Sequence, residues 1–245
     1  MKERRGPNLT WLYLRYALER NTLIVLVISF IILSIALLFL SNPWIEKGIY
    51  LMNYKDIHYN YYKQGFFIIS IFNSLIIAMI AITFAINSIS FDSLFISFTK
   101  RGRICFSKII AGILILASVI ITEGIIFFII PSIMYDKFKI EMEALRGFGY
   151  ILILSIIEFL ASIFISTLIK SVIVPLSVAF IAISIRLISQ SITKAYEIIS
   201  EIFPILGFTD YEINLEGLLL TPLWVVTLAL LYVGAYSTKD LKTNL

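Results

Sequence analysis

Two carboxylates, Glu123 and Glu158, stand inside long apolar runs of this 245-residue chain. Ionisable groups are costly at bilayer depth and usually face a bundle interior or a path. The chemistry open to such a pair is proton or cation binding, or the lining of a translocation path. The alternative is structural: a protonated Glu bonded to a neighbouring Ser or backbone carbonyl, holding helices together. Ser155, Glu158, Ser162 and Ser166 recur three and four residues apart, which puts a polar stripe on one helix face. At a helical rise of about 1.5 Å per residue, both carboxyls sit roughly 10–14 Å below one interface, facing each other or a common cavity. Asn73, Ser74, Thr83 and Asn87 pose the same choice in an earlier apolar run, helix–helix hydrogen bonding being their simpler use. Asn73, Glu123, Ser155, Glu158 and Ser162 form the candidate path lining.

Other chemistries find no residues here. There is no GxxxxGK[ST] and no Gly-Lys pair, so the chain has no phosphate-binding loop of its own. HExxH, GxSxG and Asp-rich motifs are absent as well. A lone cysteine, Cys105, excludes an internal disulfide framework, and a lone histidine, His58, argues against a His-based metal site or triad. The sequence reads as no enzyme, with no cofactor and no metal site in this chain.

The elements that hold these residues are membrane spans. The chain is 60% hydrophobic and 15% charged with a mean hydropathy of +0.96, against about 45–50% and about 25% in soluble domains. Its net charge of +4 therefore bears on membrane orientation, not on nucleic acid. Six spans are expected: Thr22–Leu40, Gly65–Ser88, Ser107–Ile130, Gly149–Ile169, Ser171–Ile188 and Gly217–Ala235. Pro175 and Arg186 interrupt the fifth, with Lys170 and Arg186 snorkelling to opposite interfaces. Placing the N-terminus inside leaves twelve of the twenty Lys and Arg on the cytoplasmic side and ten of the sixteen acids outside. Both termini are then cytoplasmic, in a prokaryotic plasma membrane by the high Ile content and lack of targeting signals.

Two amphipathic stretches adjoin the spans. In residues 8–20, Leu9, Leu12, Tyr13, Tyr16 and Ala17 form an apolar stripe that Trp11, Leu14 and Leu18 widen, with Arg15 and Arg20 at its edges. Such a helix lies in the membrane interface against lipid. No small-residue cleavage site follows the first apolar run, so this segment is expected in the mature protein. The second stretch runs from Ser88 to Lys108. Ile89, Phe91, Leu94, Phe95 and Phe98 recur at helical spacing, and Lys100, Arg101, Arg103 and Lys108 follow. A short helix with a basic turn over 89–103 suits docking against a cytoplasmic partner; a plain loop with stop-transfer charges is the other reading. On the outer side, Tyr50, Tyr54, Tyr59, Tyr61 and Tyr62 in Asn42–Gln64 fit an aromatic belt. Residues 189–216 read as a partly inserted helix and a break at the outer mouth.

This layout resembles the permease subunits of ABC-2 type (type V) ATP-binding-cassette exporters. An interface helix (Asn8–Arg20) precedes six spans, a coupling helix follows the second, and short re-entrant elements separate the fifth and sixth. The run SFDSLFISFTKRGRICFSKIIAGIL looks like that family's coupling loop, with Arg101 or Arg103 and then Lys108 opening the third span. It departs from the family in carrying Asp92 where a Glu is common, with no Gly after it. The resemblance implies an all-α membrane domain over 1–245 that docks a separate ATPase subunit, which would carry ATP and Mg. A second permease copy or a relative would complete the path. Phe91, Leu94, Phe95 and Phe98 would plug the ATPase groove, flanked by Asp92, Lys100, Arg101 and Arg103. Two other classes remain: a non-transporting immunity or sensor partner, and an ion-coupled carrier using Glu123 and Glu158.

Overall fold

In a bilayer core, only structures that satisfy their own backbone groups survive, and a helix does so within one segment. The computed structural model describes residues 8–41, 54–96, 99–134, 140, 142–191 and 215–238, all helix and short turns with no strand among them. In chain order the helices are α1 (Leu9–Ala17), α2 (Arg20–Leu40), α3 (Tyr54–Ile82), a π-helical turn (Thr83–Asn87) and α4 (Ile89–Ile96). They continue with α5 (Arg101–Met134), α6 (Met142–Leu168), α7 (Ile173–Ser191) and α8 (Leu215–Thr238). Among the described residues, five helices are long and apolar enough to cross a membrane: α2, the latter part of α3, α5, α6 and α8. The protein is an all-α, multi-pass membrane protein.

The expected fifth span, Ser171–Ile188, is present as the 19-residue helix α7, Ile173–Ser191, with Ile173–Ile185 an apolar stretch within it. Pro175 does not interrupt this helix. It lies in the first turn, where no backbone N–H donor is needed, and the Ile173 N–H donates to Ser171 Oγ at 3.2 Å just ahead of it. The other helices overrun their expected ends. α3 begins at Tyr54, not Gly65; α5 spans Arg101–Met134, not Ser107–Ile130; and α6 begins at Met142, not Gly149. Apolarity marks where lipid stops, whereas the Lys, Glu and Met of the flanks continue a helix readily in water. Glu123 and Glu158 are consequently deeper along their helices than the apolar runs indicate. The expected outer segment 189–216 lies outside the described residues except for the last residues of α7 and the first of α8, as do most of Asn42–Gln64 and Phe98.

α3 is the central strut, packed on α2, α6 and α7, while α8 packs on α5 and α6, and α1 lies along α5. Two buried clusters result. One joins α1, the α3 end, α5, α6 and α8 around Tyr13, Phe84, Phe159 and Tyr232. The other, at the opposite end, gathers Tyr61, Tyr62, Phe66, Phe127 and Phe128. Tyr61 and Tyr62 therefore do not form an outward belt: Tyr61 stacks on Phe127 at 4.9 Å and donates its hydroxyl to the Phe127 carbonyl at 2.8 Å. Close approach in both clusters depends on glycine. A Cβ on Gly65 would lie 2.4 Å from the Phe127 ring, and one on Gly112 would lie 2.2 Å from Phe159.

Phe159 is fully buried and meets Phe84 edge-on at 6.2 Å, so its ring has nowhere to retreat. Gly112→Ala should cost about 1–3 kcal/mol by overpacking, read as a lowered midpoint of thermal unfolding in detergent. Adding Phe159→Leu should restore much of the loss. An unchanged midpoint for the single variant would show that α5 and α6 do not pack this closely.

Candidate functional site

The most concentrated polar chemistry lies where α1, α4, α5 and α8 meet. Lys108 of α5 and Asp92 of α4 form an ion pair with side-chain exposures of 1% and 0%. Burying two charges is expensive unless every donor and acceptor is met, and here they are. The three N–H groups of Lys108 reach Asp92 Oδ2, Ser88 Oγ at 2.7 Å and the Phe84 carbonyl at 2.8 Å. Asp92 accepts in addition from the Tyr13 hydroxyl on Oδ1 and the Tyr236 hydroxyl on Oδ2, each at 2.6 Å. The ammonium also stands 5.4 Å and 5.0 Å from the Tyr13 and Tyr236 ring centroids, which the electron-rich ring faces favour.

The local sequence explains why a carbonyl is free for Lys108. In the π turn the Ser88 N–H bonds to the Thr83 carbonyl at 3.0 Å, five residues back. The Phe84 carbonyl, which an α-helix would have given that donor, instead accepts from Ser88 Oγ at 2.6 Å and from Lys108. π turns of this kind recur at functional sites. The chain then resumes as α4, with the Asp92 N–H on the Ser88 carbonyl at 2.7 Å.

α1 is clasped from the same side. Tyr16 stacks on Phe91 at 5.0 Å and donates to the Asn87 carbonyl at 2.8 Å, while Tyr13 meets Phe91 edge-on at 5.4 Å. Burial, followed by the Asp92 carboxylate, raises the Tyr13 phenol well above the ordinary tyrosine value, so it remains a donor throughout the physiological range. Tyr16 moves in the same direction, through burial and then Glu19 and Asp92.

The expected docking residues separate into two groups. Asp92 faces fully inward, Phe91 lies on α1, and Phe95 is half-buried beside Phe91 at 5.0 Å. Burial of Asp92 turns that side of the short α4 toward α1 and α5, leaving Leu94 outward at 63% exposure. Lys100 and Arg103 are exposed, whereas Arg101 is tied to α8, donating to the Ser237 carbonyl at 2.7 Å. A cation there suits the C-terminal dipole of α8. On α1, Trp11 is 63% exposed and Arg15 is exposed one turn on. Arg20 opens α2, and its side chain lies outside the described residues.

The candidate path residues are inside the bundle. Asn73, Glu123, Ser155, Glu158 and Ser162 are all buried within this one chain. Each carboxyl is met by α3. Asn73 Nδ2 donates to Glu123 Oε2 at 2.9 Å, and Ser74 Oγ donates to Glu158 Oε2 at 3.0 Å. This favours the structural use of these groups, as bonds between helices, over an open lining. Sequence reasoning missed the Asp92–Lys108 pairing and Tyr236 altogether, and took Tyr13 only as one member of an apolar stripe. The sole signal was a charge, Lys108, set into an apolar run.

The fold and site define a helical membrane protein with a buried ionic node binding its short helices to its long ones. No protein-family model matches the chain, and no curated protein matches it.

Lys108→Met leaves Asp92 buried and unpaired and should cost about 3–5 kcal/mol. Tyr13→Phe and Tyr236→Phe each remove a bond to a charged acceptor and should cost about 1.5–3 kcal/mol. Lys108→Met combined with Asp92→Asn should lose less than the two single losses added. Strict additivity in unfolding measurements would mean that the pair does not interact.

Proposed function

We propose that this chain is the membrane-spanning permease subunit of an ABC-2 type exporter, coupled to a separate ATPase subunit. The observation that carries the reading is the node itself. α1 and α4 are held to each other by the Tyr16–Phe91 stack and to the long helices α5 and α8 through Asp92, Lys108, Tyr13 and Tyr236. A partner pressing on the outward side of α1 and α4 would therefore move α5 and α8 as well. That is the mechanical linkage a coupling element needs.

Exposed residues of these elements include Trp11 and Arg15 on α1 and Leu94 on α4, with Lys100 and Arg103 beyond it. They would form the contact with the ATPase, which would bind ATP and Mg. The chain's own lack of a phosphate-binding loop fits this division of labour. Because the carboxylates and the serine stripe are buried within the subunit, the cargo path would run along surfaces this chain leaves open. α2 and α8 qualify, since most of the residues in their apolar stretches lie outside the buried interior. A second copy or a relative would close such a path. Under this reading the α1 end faces the cytoplasm of a prokaryotic cell.

Purification of the tagged protein in mild detergent, with mass spectrometry of its companions, tests the proposal. An ATPase with a phosphate-binding loop should accompany the wild type in near-stoichiometric amount. Leu94→Asp should release it, since Leu94 is exposed and its loss leaves the node intact. A well-folded preparation with no such ATPase would overturn the reading.

A further inference from the structure

Glu123 sits on α5 within the membrane-crossing part of the helix, with no exposed surface. Its Oε2 takes the Asn73 amide, but Oε1 has no partner, and neither has the other end of that amide, Asn73 Oδ1. Both orphans are acceptors on groups already joined by a 2.9 Å bond. A carboxylate cannot relieve them, because it has no hydrogen to give. A carboxylic acid relieves both at once: Oε1–H donates to Asn73 Oδ1 while Asn73 Nδ2–H donates to Oε2. Acid and amide then close a two-bond ring, and no buried charge remains to be compensated.

No described cation is placed to do this instead. The charged or titratable groups on the elements packed against α5 are few at this depth. Tyr150 of α6, two residues from the Phe148 that faces Gly124, brings a phenol and no cation. Glu158 of α6 is engaged by Ser74 of α3, and the Asp92–Lys108 pair lies fifteen residues away along α5, about 22 Å at the helical rise. α2 carries no charge between Asn21 and Leu40, and the described side chains of α8 that reach α5 are apolar or phenolic.

We infer that Glu123 is a proton-binding site inside the bundle, holding its proton on Oε1 and sharing it with Asn73. The ring fastens α5 to α3 only while the proton is bound. This goes beyond the exporter proposal and does not depend on it, since it needs only the buried pair.

Infrared spectroscopy of the full chain in phosphatidylcholine bilayers tests the inference. At neutral pH the wild type should show a hydrogen-bonded carboxylic-acid C=O band. Glu123→Gln should abolish that band, Glu158→Gln should spare it, and Asn73→Ala should shift it toward a free acid. Glu123→Gln should also fold as well as the wild type, because its amide supplies the same donor and rebuilds the ring. Raising the pH should lower the wild-type unfolding midpoint relative to that variant, as the proton is lost and a charge is left buried. No Glu123-dependent band at neutral pH would overturn the inference, as would a band indifferent to Asn73→Ala. A band that emerges only when sodium and potassium are removed would make this a cation site and overturn it too.

Discussion

An ammonium and a carboxylate shut away from water govern the architecture of one end of this molecule. Lys108 has three hydrogens and finds three acceptors; Asp92 has two oxygens and finds three donors. Such a pair gives little net stability over an apolar packing of the same shape, but it punishes any arrangement that separates it. Its effect is specificity. Residues from α1, the π turn, α4, α5 and α8 must all be in place together, or one of the charges is left without a partner. The aromatic stack of Tyr16 on Phe91 and the Arg101 contact with the end of α8 surround the node and share its geometry.

The mid-bundle follows a different logic. There Asn73 bonds Glu123 and Ser74 bonds Glu158, and each bond ties α3 to a different neighbour. Adjacent residues on a helix point about 100° apart, so α3 can serve α5 on one side and α6 on the other. In lipid, where apolar side chains gain nothing by leaving their surroundings, such bonds and close packing at Gly65 and Gly112 supply the association that hydrophobic burial supplies in water. The far aromatic cluster around Phe127 completes the helix contacts without any charge.

Much of this was legible in the sequence and some was not, for physical reasons. Apolar run lengths located five crossings and the two amphipathic stretches, because lipid thickness and interface chemistry act on composition directly. Helix ends were misplaced because Tyr54, Met142 and their neighbours are compatible with helix on either side of the interface. The periodicity of Phe91, Leu94 and Phe95 identified α4 but could not say which side faces inward, since an Asp on a short helix reads as solvent-facing until its partner is known. That partner, Lys108, lies on another helix, and Tyr236 is at the other end of the chain. Pairings across helices leave no local period. The π turn leaves none either, since TFAIN reads like any other helical stretch.

That turn has a consequence for how the chain tolerates change. A π turn holds one residue more than the α turn it replaces, so the phase of everything after it is offset by that residue. If the same residues wound as a regular α-helix at unchanged length, α4 would be rotated by about 100° about its axis. Asp92 would swing away from Lys108, and the carbonyl of Phe84 would return to its own helix. Loss of one residue from the turn would have the opposite outcome, a regular helix that reaches α4 in its present phase. Five residues thus act as the angular index of the α1 end through the winding of their backbone.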